Sequence, residues 1–206
     1  MQTRYDDLDL QFTIDGVHFQ VLNMVFEQFE RMIPLHSHSK YCYELHYIPY
    51  GEGTVTLQGM SHALSAGMLY VTGPHVEHEQ HTSDAAPMAE YCVFLRAVRE
   101  RGARRSTSSI AARFLETTCW IGTDRQNLHP LFQQLFQELH TRDPGFHTVT
   151  IALLEQLIVL MTRNYADPLV HGSAAAPQPV PVTQKSILID ECFLYEYATL
   201  TLPVLA

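Results

Sequence analysis

The stretch PLHSHSKYCYELHYIPYGEGTVTLQG, residues 34–59, decides how the chain is interpreted. His36 and His38 are two residues apart, and Glu44 and His46 repeat that spacing. Side chains two residues apart on a β-strand point to the same face of the sheet. The stretch therefore predicts strands that present imidazole and carboxyl groups on shared faces.

Outward from this stretch, the first half of the chain has the pattern of short strands. β-Branched and aromatic residues dominate the segments, and Gly and Pro separate them at intervals of about eight to twelve residues. The predicted strands cover residues 17–26, 43–50, 53–58, 67–72 and 88–96. Short strands at this spacing favour a sandwich or barrel. We expect a mainly β domain over residues 1–106.

The second half changes to a helical period. Apolar residues recur at three- and four-residue steps in residues 128–139 and again in residues 146–165. The sequence RDPG at 142–145 separates these two stripes. Pro130 suits a first helical turn, and Asp124 is a candidate N-cap. Two stripes joined by a tight turn predict an antiparallel helical hairpin.

This hairpin, assigned to residues 107–166, cannot bury both stripes against each other alone. It must also pack on the barrel or on a second copy of the chain. Ordinary core packing accounts for about half of the positions, and a symmetric homodimer is expected to use the rest. The residues predicted to form the dimer contact are Leu128, Leu131, Leu135, Leu139, Leu154, Leu157 and Met161.

Two further segments follow the hairpin. Residues 167–184 are rich in Pro and Ala and have no apolar periodicity, so they are predicted to be a semi-extended linker. Apolar residues between Ile187 and Tyr197 predict a short helix, and Thr201 with Pro203 could begin another. We expect residues 185–206 to be the start of an incomplete further domain.

The chemistry-bearing residues are three histidines and one carboxylate. His36, His38, Glu44 and His78 would converge inside a barrel, where imidazole nitrogens and a carboxylate oxygen suit a divalent first-row metal such as Zn, Ni, Fe or Mn. A metal-free polar pocket is the alternative reading of the same residues. His75 and His81 lie near His78 in the sequence, and their faces are left open. The histidines interpreted as surface or loop residues are His18, His62, His129, His140, His147 and His171.

At this point the sequence resembles a known family. The run at 34–59 and LSAGMLYVTGPHVEH at 64–78 resemble the two cupin motifs of AraC-type regulators, and residues 187–206 are similar to the start of their helix-turn-helix domain. The resemblance implies a cupin-type double-stranded β-helix, or jelly-roll barrel, that binds a small polar effector such as a sugar, a dimerising hairpin, and DNA contacts made by a domain missing from this chain. The candidate effector-binding residues are His36, His38, Glu44, His46, His78, Tyr43 and Tyr91.

The sequence departs from the cupin pattern at two points. Five residues separate His38 from Glu44, where three or four are usual, so Glu44 could lie one pleat away from a ligand position. The second motif, residues 74–78, lacks one residue and a glycine that metal cupins have. Both departures weaken the prediction of a catalytic metal.

Composition and charge limit the partners and the cellular compartment that we expect for this chain. A formal charge of −9 argues against nucleic-acid binding by these residues, because phosphate contacts need a basic face. The four cysteines show no paired spacing and are interpreted as reduced thiols in a cytoplasmic protein. The longest apolar run, residues 151–161, is too short for a membrane span, and acidic residues near the N-terminus interrupt any secretory signal.

Three functions remain open on the sequence alone. The first is a ligand-responsive sensor in a transcription regulator, which is not an enzyme. The second is a metal-dependent cupin enzyme of the dioxygenase or sugar isomerase type. The third is a storage or structural cupin, which would not need the linker and tail. We expect the first.

Overall fold

The computed structural model describes residues 2–30, 32–102 and 109–165, and the backbone of residues 187–189. The strands are β1 Gln2–Asp6, β2 Gln11–Ile14, β3 Val17–Gln28, β4 Ile33–His38, β5 Cys42–Tyr50, β6 Glu52–Leu57, β7 Met60–Ser65, β8 Met68–Thr72, β9 His78–Thr82, β10 Ala89–Arg99, β11 Cys119–Thr123 and β12 Ile187–Ile189. The helices are α1 Ile110–Glu116, α2 His129–Thr141 and α3 Phe146–Tyr165.

The strands form two sheets. The larger has the order β1-β3-β10-β5-β8-β11, with β2 also paired to β3. The smaller has the order β12-β4-β9-β6-β7. This is the predicted fold class: a mainly β, cupin-type barrel followed by an antiparallel pair of helices. The five predicted strands are confirmed with end shifts of a few residues. Elements that were not predicted include β1, β2, β7, β11 and α1.

The larger sheet has a different chemistry on each face because side chains alternate along its strands. On β5, Glu44 and His46 belong to a buried polar group, whereas Leu45 and Tyr47 belong to the hydrophobic core that includes α2 and α3. The ring of Tyr47 lies 5.4 Å from that of Phe132 on α2. One strand therefore contacts both the barrel interior and the helices.

The two predicted long helices are present, and the break at 142–145 is confirmed. α2 ends at Thr141, and the backbone of the following C-cap residue, Arg142, is left-handed at φ 50°. Pro130 lies in the first turn as predicted. The prediction for Asp124 is wrong in detail: Leu128 occupies the N-cap position, and the Asp124 carboxylate accepts the backbone N–H groups of Gln126 and Leu128 in the turn before it.

The seven residues predicted for the dimer contact all lie in the core of the single chain. None is more than 7% exposed. Since these side chains already pack between the helices and the barrel, they are not available to a second copy, and their assignment to a dimer surface needs correcting. A homodimer remains a prediction, and it would need the outward side chains of the same helices.

Helix α3 bears on the prediction that the chain contains no membrane span. Among the described residues, it is long and apolar enough to cross a bilayer, with a mean hydropathy of 1.2 in its best window. Of that window, 39% is buried inside the fold. A core helix meets the same test, so its length and composition do not decide its surroundings.

Residues 187–189 form strand β12 and not the predicted helix. They pair in parallel with β4, and Ile187 lies opposite His36 while Ile189 lies opposite His38. A run of three aliphatic residues, two of them β-branched, suits an added strand on an open sheet edge. The rest of the predicted tail helix, the predicted linker and residues 190–206 lie outside the described residues.

Candidate functional site

A buried group of polar side chains lies between the two sheets. β4 and β9 of the smaller sheet carry His36, His38 and His78, and β5 of the larger sheet carries Glu44. All four side chains are buried, and His38 and His78 are fully enclosed. We call these four residues the inner cluster. It brings together across the barrel the residues that the sequence predicted as metal ligands.

The Glu44 carboxylate is the centre of the inner cluster. Its Oε2 atom lies 2.8 Å from Nε2 of His38 and 3.0 Å from Nε2 of His78. Thr72 donates a hydrogen bond to the same oxygen at 3.4 Å. The long interval between His38 and Glu44 does not displace the carboxylate: a turn with Tyr41 at φ 74° connects β4 to β5 of the other sheet, and the two side chains meet across the barrel interior.

Backbone carbonyls orient two of the imidazoles. Nδ1 of His36 lies 2.7 Å from the carbonyl oxygen of Pro34, and Nδ1 of His78 lies 3.0 Å from that of Val76. A ring N–H that donates to such a carbonyl leaves Nε2 free of a proton and facing the cluster. This arrangement is typical of histidines that bind a metal through Nε2.

The charges of the cluster follow from burial and contact. Burial, together with the neighbouring His78, lowers the pKa of His36 to about 3, so its imidazole is neutral at pH 7. Burial alone would raise the pKa of Glu44, but the proximity of His38 and close contacts with His38, His46 and His78 outweigh that effect and hold it well below its usual range. Glu44 is therefore an anion.

The donor set fits a divalent metal ion. Three imidazole nitrogens and one carboxylate oxygen, one from each residue of the inner cluster, lie within 4.8 Å of one another. The Nδ1 atom of His38 is buried without a hydrogen-bond partner among the described residues, and its Nε2 atom is close to Glu44 without hydrogen-bond geometry. Buried polar atoms in that condition are unusual and suit an ion as the missing partner.

His46 extends the polar group deeper into the barrel. Its Nε2 atom lies 3.3 Å from Glu44 Oε2, and its Nδ1 atom lies 3.0 Å from Oε1 of Glu90. The ring of Tyr70 stacks on that of His46 at 4.1 Å. Tyr70 donates a hydrogen bond to Glu90 at 3.1 Å, and Gln80 contacts both of them. Despite burial, which lowers it, contact with Glu90, Cys92 and Glu44 raises the pKa of His46 well above its usual value.

Two predicted effector contacts are wrong. Tyr43 faces the helices, where its hydroxyl donates a hydrogen bond to the carbonyl of Leu115 at 3.2 Å. Tyr91 also lies in the core beneath the helices, with its ring stacked 5.5 Å from that of Phe132. Both residues occupy strand positions that alternate with the inward ones, so neither borders the inner cluster.

Three polar residues of this region were not assigned to the site from the sequence. Glu90 is buried beside His46, Cys92 is buried beside Glu44, and Gln80 is buried beside Glu90. Their facing depends on strand pairing: Cys92 of β10 lies opposite His46 of β5. The order of residues along one strand does not show which residue of the neighbouring strand lies opposite each of them.

The fold and the inner cluster define a cupin-type barrel with a polar interior. The sequence model of one family, described as the AraC-like ligand binding domain, matches residues 27–161. That match covers more than half of the chain and both motifs of the inner cluster. The chain belongs to this family of ligand-binding domains.

Solved structures with a similar fold include a cupin protein from Bacteroides fragilis, at 19% identity over 52% of this chain and 81% of that one, with a TM-score of 0.35. YhaK from Escherichia coli is similar at 13% identity over 62% of this chain and 52% of that one, with a TM-score of 0.42. KdgF from Halomonas sp. is similar at 21% identity over 48% and 88%, with a TM-score of 0.32. No curated protein matches the chain by sequence.

Proposed function

We propose that this chain is the effector-sensing region of an AraC-type transcription regulator, in which the inner cluster binds a small polar effector. The observation that carries the proposal is the buried inner cluster inside a barrel of the AraC-like ligand-binding family. Small-molecule sites typically contain a few polar groups that converge on one point and fix the orientation of the ligand.

The proposed response uses the alternation of side chains on β5. An effector held by Glu44 and His46 would pull on the strand whose other face, through Leu45 and Tyr47, packs against α2. It would also join β5 to His38 on the opposite sheet. An effector that binds one arrangement of sheets and helices better than another shifts their equilibrium, with coupling free energies of about 1–3 kcal/mol in such systems.

The inner cluster could hold the effector directly or through a divalent ion. His36, His38, His78 and Glu44 would hold that ion, which could be Zn, Ni, Fe or Mn. When bound, it would supply a Lewis-acidic position for a hydroxyl or carboxylate oxygen of the effector. The protein's own part is to keep His36 neutral, keep Glu44 anionic and exclude water from the site.

The output of the proposed sensor lies beyond the barrel. In an AraC-type regulator, paired DNA-binding domains read the signal. By analogy with such regulators, we propose that the protein is a cytoplasmic homodimer and that it contacts DNA through a further domain. The acidic composition of this chain supports a separate basic domain for the DNA contact.

Thermal unfolding with a panel of monosaccharides and sugar acids, each with and without Zn²⁺, tests this proposal. We expect at least one compound to raise the melting temperature of the wild-type chain and to have no effect on His38→Ala. The matched control is His140→Ala, because His140 is exposed on α2. An equal shift in all three proteins would contradict binding at the inner cluster.

A metal-dependent cupin enzyme is the second candidate, and the ligand set of the inner cluster favours it. The same panel distinguishes the two functions. A sensor leaves each stabilising compound chemically unchanged after prolonged incubation with metal-loaded protein, whereas an enzyme converts it. Mass spectrometry of the recovered compound measures the difference.

A further inference from the structure

The two oxygens of the Glu44 carboxylate face different partners. Oε2 lies between His38 and His78 of the inner cluster, whereas Oε1 lies 3.9 Å from the Sγ atom of Cys92. Cys92 and His46 occupy opposite positions on the paired strands β10 and β5. A second set of possible metal-ligand atoms therefore lies near the other oxygen of the same carboxylate.

This second set contains one donor each of nitrogen, oxygen and sulfur. Donor atoms of Glu44, His46 and Cys92 lie within 4.8 Å of one another, and all three residues are buried. Both ring nitrogens of His46 are within 3.3 Å of a carboxylate oxygen, yet neither has a hydrogen bond of normal geometry. Buried ring nitrogens without a well-formed hydrogen bond are unusual, and Nε2 of a histidine in that condition suits a metal ion as its partner.

His46 is also oriented in the manner of a metal ligand. Glu90 lies at its Nδ1 atom, and Tyr70 both stacks on its ring and donates a hydrogen bond to Glu90. A histidine that binds a metal through one nitrogen usually donates its other N–H to a carboxylate or carbonyl group, which fixes the ring. Glu90 supplies that carboxylate and leaves Nε2 directed toward Glu44.

We propose that Glu44, His46 and Cys92 form a second metal site, which shares the Glu44 carboxylate with the inner cluster. The pair of sites would be a carboxylate-bridged two-metal centre. A mixed nitrogen, oxygen and sulfur donor set selects a borderline ion such as Zn²⁺ or Co²⁺. Three protein ligands leave one coordination position for water or for the effector, so this inference rests on the proposed binding role of the inner cluster.

The charge of the region supports a second cation. Two carboxylates, Glu44 and Glu90, are buried there, and no lysine or arginine is buried in the described part of the chain. Buried anions need a compensating charge, and a single imidazole, that of His46, lies between these two carboxylates. On binding, the ion takes the place of the Cys92 thiol proton and of the proton that His46 shares with the carboxylates, and both protons pass to the buffer.

Titration of metal-free protein with Co²⁺ tests the proposal, because a bound cysteine thiolate gives a charge-transfer absorption that histidine and carboxylate ligands do not. We expect two Co²⁺ per chain and a thiolate band in the near ultraviolet. Cys92→Ser should lose the band and bind one fewer ion. The matched control carries Cys42→Ser, Cys119→Ser and Cys192→Ser together, and it should keep the band.

The outcomes separate this inference from the proposed function. One Co²⁺ per chain without the band would overturn the second site while leaving the inner cluster as a metal site. If no Co²⁺ binds at all, both metal assignments are wrong, although a metal-free effector pocket would stand. Should Cys92→Ser fail to fold, His46→Gln provides the same comparison, and retention of two ions with an unchanged band in that variant would contradict the proposal.

Discussion

The Nε2 atom of His38 lies 2.8 Å from the Oε2 atom of Glu44, and this contact joins strands that belong to different sheets. His38 ends β4 of the smaller sheet, and Glu44 lies in β5 of the larger one. The contact is therefore a direct connection across the barrel interior, and it places the inner cluster where the relative position of the sheets can be sensed.

Glu44→Gln should weaken Zn²⁺ binding by about 10- to 100-fold or more, because the amide replaces the anionic ligand around which the three imidazoles gather. Isothermal titration calorimetry of the metal-free proteins measures the change. Glu138→Gln, a substitution of the same kind on the outer part of α2, is the control. Equal affinity in wild type and Glu44→Gln would exclude Glu44 as a ligand.

Tyr43→Phe and Tyr70→Phe should separate the two faces of the larger sheet. Loss of the Tyr43 hydroxyl removes a hydrogen bond to Leu115 on the helix side and should cost about 1 kcal/mol of stability without changing Zn²⁺ affinity. Loss of the Tyr70 hydroxyl leaves Gln80 as the remaining hydrogen-bond donor to Glu90 beside His46 and should lower Zn²⁺ affinity about tenfold. Urea denaturation and calorimetry measure the two effects, and the reverse pattern would contradict the assigned faces.

The period-two pattern of the sequence predicted this site in part. It correctly placed Glu44 and His46 on one face, and the same alternation excludes their neighbour Tyr43, which was a predicted effector contact. Tyr91 and Glu90 could not be assigned in this way. Their facing depends on how β10 pairs with β5, a contact between residues more than forty positions apart for which the local sequence carries no signal.

The helical stripes have a similar limit. The spacing of Leu135 and Leu157 predicts an apolar face, but the hydrophobic effect does not specify which surface covers that face. In the structure, the larger sheet covers it. In residues 187–189 even the type of element was predicted wrongly. They pair with the edge strand β4, and this tertiary contact prevails over their predicted helical pattern.

Leu135→Ala should lower the free energy of unfolding by about 2–5 kcal/mol, because the Leu135 side chain of α2 is fully buried in the hydrophobic core. Gln134→Ala, one position away on the exposed side, should change it by less than about 0.5 kcal/mol. Equilibrium urea denaturation gives both values. A small effect at Leu135 together with a change in oligomeric state would return this residue to a dimer surface.

If a homodimer forms through the helices, the outward face of α3 is its expected surface. Val149 is 38% exposed there, and Ala152 and Gln156 lie on the same exposed side. The double substitution Val149→Glu and Ala152→Glu should halve the mass measured by light scattering and leave the circular dichroism spectrum unchanged. A dimer that persists in the double variant would contradict this surface.

Pairing of β12 with β4 should protect the strand that carries two histidines of the inner cluster. Leu188→Pro removes a backbone N–H and disfavours a paired strand, so amide exchange in residues 33–38 should become faster. Leu188→Ala keeps the N–H and should preserve the slow exchange. Hydrogen–deuterium exchange with mass spectrometry compares the two variants, and identical rates in both would indicate that β12 does not protect β4.

The most direct test of the inner cluster as a metal-binding site is anomalous X-ray diffraction from crystals grown with Zn²⁺. The account predicts a zinc peak inside the barrel within coordination distance of Nε2 of His36, His38 and His78 and of a carboxylate oxygen of Glu44. Zinc only at exposed histidines, with the four side chains of the inner cluster unchanged and in contact with one another, would contradict it.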